Sequence, residues 1–195
     1  MQKRSVGIFL FNEVEVLDFA GPFEVFSIAG HSTKPFIVHT VSEKGEIISA
    51  RNGLKVQPAY SFSNHPPFDI LIIPGGYGAE EIEIHNEQVI QWIKQQKTSV
   101  EILASVCTGA FLLAKAGLLD GKKVTTHWMD MDTLAKEYPK VNLVRGKKFI
   151  DESDIITSGG ISAGINMSFH IVKRLYGEEL ANTTARRMEY DINIE

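Results

Sequence analysis

The residue with most chemistry to offer is the lone cysteine, Cys107. It sits in Ser105-Val106-Cys107-Thr108-Gly109-Ala110, after the apolar run Val100–Val106 and before a helical pattern over Gly109–Ala116. Strand, sharp turn and helix in that order make a nucleophile elbow, here with sulfur in place of a hydroxyl. The turn is tight, so the residues two before and two after the nucleophile must be small, and Ser105 and Gly109 are. A thiol at a helix N-terminus also faces the positive end of the helix dipole, which is expected to lower its pKa. A buried cysteine acting as a small hydrophobe is the plainer alternative, and it leaves the small flanks unexplained.

Further candidates follow the other apolar runs. Pro74-Gly75-Gly76-Tyr77-Gly78 comes after Asp69–Ile73. Glycines there let the main chain approach a ligand and turn the Gly75 and Gly76 amides toward developing negative charge, as an oxyanion hole requires. A plain turn is the alternative; a dinucleotide loop is rejected, because Glu81 stands where the third glycine belongs. Asp18, in the segment after the first run, is a carboxylate able to exchange protons with a thiol or substrate, or else a solvated or capping aspartate. Beside it, Pro22 reads as the first helical position with Gly21 as cap and Glu24 in the first turn, complementing the dipole. His127 follows Lys123–Thr126 and is placed to orient or titrate with the thiol, with Trp128 as a pocket wall; a structural histidine is as consistent. The glycines of Ser158–Gly164 suit an anion at a helix N-terminus, although capping and packing explain them adequately.

Metal and phosphate signatures are missing. His31, His39, His65, His85 and His170 show no His-x-x-x-His spacing, and His127-x-x-Asp130 is too sparse for a metal. Gly121-Lys122-Lys123 lacks the upstream glycine and hydroxyl of a P-loop. No cofactor is therefore expected.

These residues need a frame. Ser5–Phe11, Phe36–Val41, Asp69–Ile73 and Val100–Val106 are short and nearly continuously apolar, as strands buried on both faces of a parallel sheet are. Between them lie helical candidates at Pro22–Ala29, Asn86–Gln96, Gly109–Ala116 and Met129–Glu137. Glu43–Pro58 alternates around Lys44-Gly45 and Asn52-Gly53 and reads as a small hairpin excursion. Phe149–Asp151 and Ile155–Ser158 read as short strands, followed by helices over Ser162–Tyr176 and Glu178–Tyr190 with Gly177 between them. Strand–helix alternation on this scale predicts an open, doubly wound α/β sheet, and no linker or repeat divides residues 1–195, so one domain is expected.

Composition narrows the function classes. With 44% hydrophobic and 23% charged residues the chain has the balance of a soluble globular protein. The formal net charge is -4 and the basic pairs are isolated, which argues against non-specific nucleic-acid binding. No apolar run approaches the ~20 residues that span a bilayer. Acids rather than a small-residue cleavage site follow the first apolar run, and one cysteine allows no internal disulfide, so a cytoplasmic setting is expected.

Leu17-Asp18-Phe19-Ala20-Gly21-Pro22-Phe23-Glu24-Val25-Phe26, Pro74-Gly75-Gly76, the cysteine elbow, Thr125-Thr126-His127-Trp128 and Thr157-Ser158-Gly159-Gly160-Ile161-Ser162-Ala163-Gly164 together resemble the ThiJ/PfpI superfamily over nearly the whole chain. Together these motifs look specific for its branch holding isonitrile hydratase and the sensor-like domains of AraC-type regulators. The resemblance implies a flavodoxin-like, class I glutamine-amidotransferase-like sandwich with a mostly parallel central sheet. It implies Cys107 as nucleophile, Asp18 as its acidic partner, Thr108 as support by side chain and amide, and Gly76 as an oxyanion-hole contributor. Thr108 replaces the histidine that intracellular proteases of the superfamily place after the cysteine, which speaks against proteolysis. His170, inside an expected helix, gives no amidotransferase histidine–glutamate pair. A cysteine-dependent hydratase or lyase acting on a small molecule, best matched by isonitrile hydration, is the leading expectation. Chemistry on 2-oxoaldehydes and a non-catalytic ligand or redox sensor are the alternatives; with the chain ending at Glu195, a sensor is expected to act through a partner protein. A homodimer is expected from the resemblance alone.

Overall fold

The computed structural model describes residues 2–30 and 33–192; His31 lies outside them. Strands β1 (Arg4–Phe9) and β2 (Phe36–Ser42) are joined by helix α1 (Val16–Ile28). The ribbon β3 (Ile48–Ser49) and β4 (Lys55–Val56) follows, then β5 (Tyr60–Ser61), β6 (Ile70–Ile73) and the short helix α2 (Tyr77–Glu81). Helix α3 (Glu87–Lys97) leads to β7 (Ile102–Ser105) and α4 (Gly109–Lys115). After β8 (Lys123–Val124) come α5 (Met131–Glu137), β9 (Asn142–Leu143), β10 (Phe149–Asp151) and β11 (Ile155–Ser158). Helices α6 (Ala163–Tyr176) and α7 (Glu178–Arg187) close the chain's described part.

Seven strands form the central sheet in the order β10-β11-β7-β6-β1-β2-β5. All neighbours are parallel except the edge pair β10–β11. The interior strands β6, β7 and β11 are buried along their whole length, which is why their sequences are apolar without alternation. The chain adds β2 and β5 on one side of β1, then reverses to add β6, β7 and β11 on the other. In such sheets ligands bind beyond the carboxyl ends of the strands near that reversal. The first turn of α1, carrying Asp18, and the loops after β6 and β7, carrying Gly75–Gly76 and Cys107, meet there. Asp18 thus lies in a helix and not in the loop before it. The flavodoxin-like, mostly parallel α/β sandwich read from the sequence is the fold observed.

Local expectations fare differently by element. The excursion at Glu43–Pro58 is the antiparallel ribbon β3–β4, with a 3-10 turn at Arg51–Gly53 between its strands. Asn86 caps α3, its side chain accepting from the Gln88 and Val89 amides. The start of α1 differs: the helix begins at Val16, so Pro22 lies inside it and Glu24 is an exposed residue well past the first turn. Proline removes one helical hydrogen bond, here to the Asp18 carbonyl, at a cost of about 3 kcal/mol. Burial of Phe19, Pro22, Val25 and Phe26 offsets it. Among the described residues no helix is long and apolar enough to cross a membrane.

Candidate active site

The turn after β7 is under backbone strain. Cys107 has φ 55°, a left-handed conformation that costs a non-glycine residue about 1–3 kcal/mol. Its neighbours hold it there from both sides. Its N–H is shared between the carbonyls of Ser158 and Gly159, at 3.2 Å each, and its carbonyl accepts the Thr126 hydroxyl at 2.8 Å. Thr126 is fully buried and supplies this bond from the loop after β8, a role no local sequence signal assigns. Thr126→Val keeps the shape and removes the donor. It is expected to lower stability by about 1–3 kcal/mol and to slow alkylation of Cys107 several-fold, read by urea unfolding and intact mass.

Asp18 comes to the thiol from α1. The Glu15 N–H donates to the Gly75 carbonyl at 2.9 Å, tying the start of α1 to the loop after β6. In the first turn of the helix, the Asp18 side chain is fully buried, with Oδ2 accepting the Gly75 N–H at 3.0 Å. Oδ1 is buried without an aligned hydrogen-bond partner. Burial pushes the Asp18 carboxyl up to about 7; the Gly75 amide and the Cys107 thiol pull against this, and Glu15 adds to it. The thiol itself is pushed upward, first by burial, then by the Asp18 charge, with Asp130 and Glu80 adding and the Thr108 amide opposing. The dipole-lowered thiol expected from the sequence is therefore corrected. α4 has only seven residues, and burial with three carboxyls nearby outweighs its N-terminus. Both groups therefore hold their protons more tightly than isolated ones would.

The raised carboxyl carries a stability signature. Its folded pKa lies above the unfolded value of 3.8, so its contribution is fully present below about pH 4 and lost as pH rises through about 7. Three units correspond to on the order of 4 kcal/mol. Asp18→Asn retains an acceptor for Gly75 and escapes this loss. Its melting temperature is expected to match wild type near pH 4.5 and to exceed it by several degrees at pH 8, measured by calorimetry across that range.

The glycine loop is engaged differently from the oxyanion hole expected. The Gly76 N–H donates to Thr108 Oγ1 at 2.9 Å, and the Gly75 N–H is on Asp18. Both donors are buried and take internal acceptors, as buried amides must. The amide at the sulfur is that of Thr108. Gly76 is nonetheless indispensable: its φ of 115° is glycine territory, and a Cβ would lie 2.5 Å from the Glu15 nitrogen.

His127 is paired with Asp130, Nδ1 to Oδ2 at 3.0 Å, and its ring lies over Gly160, where a Cβ would strike it. The glycine thus serves packing. Trp128, in the 3-10 turn that follows, is 73% exposed. Glu80 went unnoticed in the sequence. It projects from α2, half-buried, and its charge adds to the upward push on the Cys107 thiol. The helix formers Ala79-Glu80-Glu81 after Gly78 were the only available signal. Among the described residues no cluster of three or more His, Cys, Asp or Glu is arranged to hold a metal.

A doubly wound sandwich with a cysteine at a strained strand–helix elbow, faced by a buried carboxyl, defines a class of α/β proteins built around one thiol. Within it, the chain belongs to the DJ-1/PfpI family, which matches residues 4–174. An isonitrile hydratase from Pseudomonas putida is 32% identical over 95% of this chain and 78% of its own length. The HTH-type transcriptional regulator GbdR of Pseudomonas aeruginosa is 28% identical over 96% of this chain, which spans about half (51%) of that regulator. Among solved structures, a ThiJ/PfpI family protein from Pseudomonas syringae superposes with a TM-score of 0.88 at 24% identity, covering 99% of this chain and 77% of the other. Drosophila melanogaster DJ-1beta gives 0.83 at 22% identity, covering 98% and 100%.

Proposed function

We propose that this protein hydrates isonitriles to N-substituted formamides, with Cys107 as nucleophile and Asp18 as its proton partner. The observation that carries this reading is the buried Asp18 carboxyl beside the buried thiol, with one oxygen tied to Gly75 and the other lacking an aligned partner. Such a pair can attack and protonate the same atom, and an isonitrile's terminal carbon requires both. Asp18 takes the thiol proton as Sγ bonds to that carbon, then delivers the proton to it, giving the thioimidate R–N=CH–S–Cys107. Water adds to the carbon; Asp18 takes one of its protons and returns it to the departing sulfur, while the nitrogen gains a hydrogen. The C–S bond breaks and R–NH–CHO leaves. The 32% identity to an isonitrile hydratase over nearly the whole chain supports the same reading.

The test is turnover of a panel of aliphatic and aromatic isonitriles, with formamide quantified, for wild type and Cys107→Ala. Formamide production lost in Cys107→Ala is the expected result; an inert wild type sinks the proposal. Methylglyoxal belongs in the same assay, since cysteine-dependent lactate formation would move the reading to 2-oxoaldehydes. The similarity to GbdR favours a second reading, a ligand or redox sensor. Saturable binding of an isonitrile or aldehyde without turnover would select the ligand version. An oxygen adduct after mild peroxide, abolished by Cys107→Ser, would select the redox version. We further propose a homodimer in the cytoplasm, supported by the apolar surface that Leu17, Phe23 and Ile161 leave exposed on and beside α1 and α6. Sedimentation velocity giving a monomer at micromolar concentration would refute the dimer.

A further inference from the structure

Away from the thiol, two carboxyls share one neutral amide. Glu43 follows β2, Glu83 lies in the 3-10 turn after α2, and the Asn86 side chain reaches both. Asn86 Nδ2 donates to Glu43 Oε2 at 2.7 Å and to Glu83 Oε2 at 3.3 Å. The amide is held in this orientation, because its oxygen caps α3 by accepting the Gln88 and Val89 N–H groups. It brings the two acids together without cancelling either charge. Among the described residues no Lys, Arg or His makes an ion pair with Glu43 or Glu83. Glu83 is nevertheless only 8% exposed, and its Oε1 accepts no hydrogen bond from the described residues.

Both acids line a cavity of about 170 Å³ at the carboxyl ends of β1 and β2. Phe9, Phe11, Ile47 and Ile48 supply apolar wall, whereas Asp18, Cys107 and Thr108 of the thiol site take no part in the lining. We propose that this cavity binds a small primary alkylammonium ion, its head on Glu43 and Glu83 and its chain against the phenylalanines and isoleucines.

The chemistry of the walls selects that class. An ammonium group has three donors and no acceptor, which suits carboxyl oxygens that have lone pairs to spare. At about 30 Å³ for each water-sized group, the space holds roughly six heavy atoms, an amine with about five carbons. Burial pushes the Glu83 carboxyl up and the Glu43 charge adds to this, with Asn86 opposing. A bound cation supplies the countercharge whose absence makes a buried carboxylate costly. A metal ion fits less well, because among the described residues no third His, Cys, Asp or Glu is arranged to complete a metal site. Lys44 is exposed on the rim and carries the same charge as the ligand.

The experiment is titration calorimetry of the full chain with n-butylammonium, beside tetramethylammonium, n-butanol and calcium. Saturable binding of n-butylammonium is expected. Tetramethylammonium, which has no N–H, and n-butanol, which has no charge, should bind at least about tenfold more weakly. Glu83→Gln keeps the shape and the acceptor for Asn86, and should weaken n-butylammonium at least about tenfold. Lys44→Met should tighten it about two- to threefold by removing a like charge. Urea unfolding of Glu83→Gln should occur no earlier than in wild type, because a buried charge is gone, so lost binding there is not lost fold. Wild type that ignores n-butylammonium, or affinity that Glu83→Gln leaves within about twofold, overturns the proposal. Tetramethylammonium binding as tightly as n-butylammonium overturns it too, as does calcium displacing the probe through Glu83, which would make the cavity a metal site.

Discussion

Asp18→Asn is expected to lower isonitrile turnover by about 10²–10⁴-fold while making Cys107 easier to alkylate than in wild type. The two effects have opposite signs because the carboxyl does two things. As a charge it raises the thiol pKa, so its removal releases thiolate at lower pH. In the proposed reaction it also carries a proton from sulfur to carbon, which an amide cannot do. An ordinary structural lesion would depress both quantities together. In wild type the alkylation rate should also inflect near pH 7, where Asp18 titrates, and the inflection should vanish in Asp18→Asn. Rates of iodoacetamide modification from pH 5 to 9, beside formamide production, check both parts. Alkylation slowed in step with turnover would show that Asp18 merely holds the elbow together.

Gly109→Ala should be severely damaging for a single added methyl, at about 3 kcal/mol or more of stability, with loss of the reactive thiol. A Cβ at Gly109 would run into the Ile73 carbonyl and lie 2.8 Å from that of Pro74. Both obstacles are main chain at the end of β6, where hydrogen bonds between β6 and β7 fix their position. No side chain can swing aside to make room. Gly117→Ala is the contrasting control, since a Cβ there meets no atom within 4 Å and only the positive φ of 72° is strained. Urea denaturation of both variants, with thiol titration of the folded protein, measures the difference. Similar midpoints for the two would mean that the elbow relaxes more freely than its contacts allow.

The fold makes a linked set of demands on this site. The left-handed Cys107 is stabilised by Thr126, Ser158 and Gly159, which come from the loop after β8 and from the end of β11 and the loop after it. Asp18 is brought in by a helix that contains a proline, and Thr108 is oriented by a glycine amide from the loop after β6. The geometry of the site is set by α1 and by the segments that follow β6, β7, β8 and β11 at the carboxyl ends of the strands, joined through buried hydrogen bonds.

Much of this was legible in the residues alone. Runs such as Ile70-Leu71-Ile72-Ile73 have no polar alternation, and a strand covered on both faces is the structure that tolerates them, so the doubly wound sheet follows from patterning. The elbow was legible for a similar reason: tight turns exclude side chains, and Ser105 and Gly109 record that exclusion locally. The start of α1 was not, because a proline marks a local preference that tertiary burial of Phe19, Val25 and Phe26 overrides. Nor were the partners of the glycine amides, since hydrogen bonds spanning 57 residues to Asp18 and 32 to Thr108 leave no trace in spacing. The thiol's upward shift and the place of Glu80 depend on burial and on charges converging from separate elements. Sequence fixes which groups are present and their local backbone preferences; their dielectric surroundings and mutual distances exist only once the sheet has assembled.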